Sequence, residues 1–149
     1  MVSLKKFKRI LILSGGISEE RDISQSSADH VYQTIKNEAI TKILDVSDNA
    51  EQLLMNIQKF NPDVIFNCLH GYFGEDGQIQ SILNYLKIPY THSGVLTSAI
   101  LMNKIISKKL FQSLGIRSPE FLSEYNINNK KLKFPLIIKP VNGGSSYGL

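Results

Sequence analysis

Three short segments put reactive side chains directly after apolar runs: GGISEER with Glu20, HGYFGEDG with His70, and KPVNGGSSYG with Lys139. A carboxylate and an imidazole opening on one crevice match the ammonium and carboxylate groups of an amino acid. Each also has a plainer use. An acid in the first turn of a helix complements the helix dipole. A histidine at a strand end can be purely structural, and GEDG can be a turn with Asp76 as an N-cap, leaving Glu75 no chemical task. Residue types alone leave both readings open. The third segment points to anion binding. Lys139 ends an apolar run, where its charge is costly unless it reaches a partner or solvent. Glycines let backbone N–H groups converge on an anion, and serine hydroxyls add donors. The Gly-x4-Gly-Lys-Ser/Thr order of a P-loop is absent, and a GGSS run by itself also suits a linker.

The elements that must position these groups follow from hydrophobic periodicity. RILIL (residues 9–13), ITKILDV (40–46) and VIFNCL (64–69) are short, β-branched and apolar, which predicts buried strands. Between and after them come helical patterns. The first has Ile23, Ser27, Val31 and Ile35 at helical spacing, and the second has Leu53, Leu54, Ile57 and Phe60. The third, over residues 76–86, has Ile79, Ile82, Leu83 and Leu86. Strand–helix alternation three times over predicts an α/β fold with a parallel sheet covered on both faces. Ligands of such sheets bind beyond the carboxyl ends of the strands, where Glu20 and His70 fall. IPYTHSG reads as a short extended segment, followed by helices over VLTSAILMN and KIISKKLFQSLG. The polar SEYNINNKKLK reads as a loop or hairpin turn, and FPLIIKP as a last strand. A boundary near residue 100 divides the chain into an α/β domain, residues 1–100, and the start of a second domain, residues 101–149.

Composition narrows the function. The chain has 149 residues, 42% of them hydrophobic and 20% charged, with a formal net charge of +4. That is long enough and apolar enough for a real core. The lysines are scattered, with no interleaved aromatic–basic stripe, so no nucleic-acid partner is expected. The single Cys68 fits a reducing compartment. The N-terminal apolar run, about five residues long, is too short for a signal core or a membrane span. A cytoplasmic protein without a membrane partner is expected.

GGISEERDIS, HGYFGEDGQIQ, IPYTHSGVLTSA, MNKIISK and FPLIIKPVNGGSSYG occur in this order. Together, over residues 9–149, they resemble the D-alanine–D-alanine ligases of the ATP-grasp superfamily. The resemblance implies a three-layer, Rossmann-like substrate domain followed by the incomplete start of an ATP-grasp domain. It implies ATP-dependent joining of two D-alanines through an acylphosphate, for peptidoglycan precursor synthesis, with Mg²⁺ or Mn²⁺ held by ligands expected beyond residue 149. By the same resemblance Glu20 orients the ammonium of the first D-alanine and His70 lies in that subsite. Ser145 links to the acid and helps set the pocket, which makes Glu20 and Ser145 the catalytic pair. Lys104, Lys139, Ser145 and Ser146 contact ATP. A homodimer is implied for the whole enzyme, and the 149 residues alone are expected to be inactive. Asn103 stands where aspartate is common, His92 where glycine is common, Gly143 where an acid is frequent, and Tyr147 where a small aliphatic is usual. Other expectations remain: a related ligase joining D-alanine to D-lactate, a non-catalytic amino-acid-binding module, or a dimerisation domain.

Overall fold

The computed structural model describes residues 7–122 and 134–144. The stretch SEYNINNKKLK (residues 123–133) and Ser145, Ser146 and Tyr147 lie outside them. Three strands, β1 (Arg9–Gly15), β2 (Ile40–Val46) and β3 (Val64–Asn67), form a parallel sheet in the order β2-β1-β3. Helices α1 (Arg21–Ile35), α2 (Ala50–Phe60) and α3 (Gln78–Tyr85) follow the strands in turn. The fold is therefore α/β. The extended segment after α3 adds one parallel bridge, Ile65 to Tyr90, on the outer edge of β3.

Alternation along β1 explains the three layers. Leu11 and Leu13 face one side of the sheet and pack with Leu53 and Ile57 of α2 and Ile79 and Leu83 of α3. Ile10 and Ile12 face the other side and pack with Ala28 and Ile35 of α1. A central strand buried on both faces needs a continuous apolar run, which RILIL supplies.

The helix faces differ from the sequence pattern by about one position. In α1 the buried residues are Ser24, Ala28 and Ile35, while Ile23 is exposed. Small side chains at 24 and 28 let α1 approach the sheet, so apolar character alone misassigns the stripe. In α2 Leu54 is likewise exposed. In α3 the polar Gln80 is fully buried beside Ile79 and Leu83.

Strand β3 stops at Asn67, two residues short of the apolar run's end, because the Asn67 side chain accepts a hydrogen bond from Leu69 N–H at 3.2 Å and turns the chain. A second difference lies at FPLIIKP. Residues 134–140 carry no strand, and Phe134 and Ile138 are 82% and 85% exposed. An apolar extended run becomes a strand only when its backbone groups are paired, and no described strand lies beside it.

Helices α4 (Val95–Met102) and α5 (Lys104–Ser113) meet at Asn103. Its side chain accepts from Ile105 N–H at 3.1 Å and Ile106 N–H at 3.0 Å, capping α5. Asparagine and aspartate cap equally well, so Asn103 starts α5 as an aspartate would. No helix among the described residues is long and apolar enough to cross a membrane.

Cys68 packs into the α1 side of the core, and burial pushes its thiol pKa up to about 11. The thiolate is the reactive form. The folded chain is thus expected to resist alkylation by iodoacetamide at about pH 8 and to react readily once unfolded. Equal rates in both states, read by mass spectrometry, would contradict the buried placement.

Candidate functional site

Strand order β2-β1-β3 makes the chain diverge at the carboxyl ends of β1 and β3, where open α/β sheets bind ligands. The loop after β1 carries Ser18 and Glu20, and the loop after β3 carries His70 to Asp76. The two are tied together: Ser18 Oγ donates to the His70 carbonyl at 2.8 Å. Arg21 braces the first loop by pairing with Asp45 and donating to the carbonyls of Gly16 and Val46.

Glu20 is the N-cap residue of α1, yet its side chain makes no capping hydrogen bond. It is 4% exposed, and no donor among the described residues reaches Oε1. The dipole reading raised by the sequence does not account for a carboxylate buried in this way. Glu20 instead lines a cavity of about 640 Å³. Its walls are the β1 loop (Ile17, Glu19), Gly71, Tyr72 and Asp76 after β3, the α4–α5 junction, and residues 142–144. Three carboxylates and no lysine or arginine line the described wall, which favours a cationic group.

Gly71 explains how closely the two loops meet. Its φ is +65°, and a methyl group there would lie 2.6 Å from Glu20 Oε2. Only glycine combines that backbone with that approach.

The other expected site residues fall unevenly. The His70 ring does not line the cavity. Its Nε2 lies 3.5 Å from Ser27 Oγ and its Nδ1 lies 4.0 Å from Glu75 Oε1. Glu75 also accepts from Gly71 N–H at 2.8 Å. Asp76 accepts from Phe73 N–H at 2.9 Å and Gln78 N–H at 3.1 Å, so GEDG is a closed turn, with Gly77 rather than Asp76 as the formal cap. Lys104 opens α5. Its N–H donates to the Val141 carbonyl at 3.0 Å and its Nζ to the Gly143 carbonyl at 2.7 Å, fastening residues 141–143 to the helix. Lys139 is exposed and makes no hydrogen bond or ion pair among the described residues. A methyl group on Gly144 would lie 3.7 Å from Glu20 Oε1, so the glycine-serine loop begins beside the buried acid. Among the described residues no group of three or more His, Cys, Asp or Glu comes together to hold a metal ion.

Sequence reading missed a polar network behind this loop. Asn67, at the end of β3, and Gln80, in α3, both bond the Gly74 carbonyl and approach the His92 ring. Its one signal was the placing of Asn67 and Gln80 inside apolar patterns.

The family model for the D-ala D-ala ligase N-terminus matches residues 44–93. The D-alanine–D-alanine ligase of Pelagibacter ubique is 50% identical, over 93% of this chain and 48% of that protein. The crystal structure of the Bacillus anthracis D-alanine–D-alanine ligase superposes with a TM-score of 0.75 at 34% identity, covering 95% of this chain and 48% of that one. The same enzyme complexed with ATP gives a TM-score of 0.69 at 32% identity over 76% of this chain and 37% of that one. The chain spans about half the length of the curated relatives it matches. The matched strands, the loops at their carboxyl ends and the shared fold have one source: the chain belongs to the D-alanine–D-alanine ligase family and corresponds to its N-terminal portion.

Proposed function

We propose that this chain provides the first amino-acid subsite of an ATP-dependent ligase that joins two D-alanines. The observation that carries the reading is the Glu20 carboxylate, 4% exposed with Oε1 unpartnered among the described residues, on the wall of a 640 Å³ cavity. A buried acid without a donor matches a ligand that brings its own, and an ammonium group does so. His70 precedes Gly71 of the cavity wall, and with its ring standing off the cavity beside Ser27 and Glu75 it is assigned to the same subsite from behind that wall. Ser145 follows Gly144, which already lies beside Glu20, and so is the candidate partner of the acid.

In this reading the carboxylate of the first D-alanine attacks the γ-phosphorus of ATP and ADP leaves. The amine of the second then attacks the acyl carbon, losing a proton as phosphate leaves. Lys104, Lys139, Ser145 and Ser146 serve the phosphates. The tie from Lys104 Nζ to Gly143, and the Lys139 charge without a partner among the described residues, support this assignment. Phosphoryl transfer from ATP generally requires Mg²⁺, which is therefore part of this reading. In the same reading the chain divides near residue 100, within α4, into an α/β domain and the start of a second domain. The exposed Leu96 and Leu101 of α4 support pairing of two copies through this half, and the buried lone thiol fits a cytoplasmic setting.

The test joins residues 1–149 to the C-terminal part of a related D-alanine–D-alanine ligase, such as that of Pelagibacter ubique. The longer protein with ATP, Mg²⁺ and D-alanine should release phosphate and D-alanyl-D-alanine in equal amounts. Lys139→Met should weaken ATP use by roughly tenfold or more with the melting temperature within about 2 °C of the parent. Phosphate release with no dipeptide formed would overturn the reading.

A further inference from the structure

His92 lies in the segment after α3, and the structure gives it a task. Asn67 Oδ1 accepts from Leu69 N–H, and its amide Nδ2 donates to the Gly74 carbonyl at 2.9 Å. Those two bonds fix the orientation of the amide. The same Nδ2 lies 3.0 Å from His92 Nδ1, which must therefore be the acceptor. Gln80 adds a second, looser amide, with Nε2 at 2.8 Å from the Gly74 carbonyl and 3.4 Å from His92 Nδ1, and with its Oε1 buried without a partner among the described residues. His92 thus carries its proton on Nε2, and two side-chain amides are shared between its ring and one carbonyl. That carbonyl belongs to the segment bearing His70, Gly71 and Glu75.

We propose that His92 is a positioning residue: as a neutral imidazole it orients Asn67 and Gln80, which hold Gly74 and thereby keep Gly71 and Tyr72 against the substrate cavity. The part of this that concerns D-alanine rests on the ligase reading. The part that concerns the loop does not.

Protonation should release the device, because an imidazolium Nδ1–H cannot accept from two amides and competes with them for the Gly74 carbonyl. Burial pushes His92 below its ordinary value of 6.5. The Glu75 carboxylate, His70 in the loop after β3 and the Gly74 carbonyl are the other groups that bear on it. Glu75 and Gly74 favour the imidazolium, and His70 works with burial. A depressed folded-state value means that the unfolded chain binds the proton first. The network is therefore whole above 6.5 and is lost as pH falls through the lower folded-state value.

The experiment uses ring-nitrogen NMR and amide exchange on the chain, and steady-state kinetics on the longer enzyme. At about pH 7.5 the His92 ring should appear as the Nε2–H tautomer. Below its titration point, the amides of Gly71 and Phe73 should lose exchange protection. His92→Gln keeps an acceptor but cannot titrate, so protection should persist through the acid range. His92→Leu should lose it at all pH and raise the KM for D-alanine by roughly tenfold with kcat nearly unchanged, the loss of about one good hydrogen bond. An Nδ1–H tautomer at neutral pH overturns the proposal, as does acid-sensitive protection in His92→Gln. If His92→Leu leaves KM alone while Glu20→Gln raises it, the positioning role fails and the ligase reading stands. If neither moves it, both fail.

Discussion

Glu20→Gln is expected to raise the KM for the first D-alanine by roughly tenfold to a hundredfold, and at the same time to raise the melting temperature of the unliganded chain. The first effect follows from removing one charge from a charge-assisted hydrogen bond to an ammonium group, a loss of about 1.5–3 kcal/mol. The second follows from the free state. Glu20 is 4% exposed, and Oε1 has no donor among the described residues. A buried carboxylate without a full set of partners costs more than a neutral amide of the same shape. Replacing it should recover about 1 kcal/mol, or a few degrees in a domain of this size. Opposite movement of affinity and stability marks a residue held for its ligand. Thermal melts of the chain and kinetics of the longer enzyme read the two quantities separately. A fall of several degrees with unchanged KM would make Glu20 a structural residue.

Gly74→Ala is expected to be the most destabilising small substitution near the site. A methyl group at Gly74 would lie 2.6 Å from Leu69 Cβ, 2.7 Å from its carbonyl carbon and 2.9 Å from its carbonyl oxygen. Two of these atoms are backbone, so no rotamer change relieves the clash. The loop must move, and the Gly74 carbonyl then leaves both Asn67 and Gln80. Overpacking costs about 1–3 kcal/mol and each abandoned buried amide about 1–3 kcal/mol. A total of about 3 kcal/mol or more lowers the midpoint by roughly 10 °C or more. Urea denaturation measures the loss. A change under about 1 kcal/mol would mean that the loop yields at little cost and does not hold the site.

The sheet was legible because its signal is local. Arg9, Ile40 and Val64 open runs of β-branched and leucine residues, and each opens a strand in the structure. The helices were legible in place but not in facing. Ile23 and Leu54 match the apolar pattern yet are exposed: α1 approaches the sheet on Ser24 and Ala28, and α2 on Leu53 and Ile57. FPLIIKP has the composition of a strand and is not one among the described residues, since a strand also needs a neighbour.

The amino-acid order by itself determined the α/β alternation, the placing of Glu20 and His70 after β1 and β3, and the motif series that marks the family. Those features follow from short-range periodicity and from residue identity. Only the tertiary structure decided that Glu20 is buried without a capping bond and that the His70 ring stands off the cavity. It also decided that Lys104 fastens the Gly143 carbonyl, and that His92 meets Asn67 and Gln80 around Gly74. Each of these depends on two loops, or a loop and a helix, meeting from distant points of the chain. Distances set by packing are invisible to a pattern that compares only neighbours along the sequence.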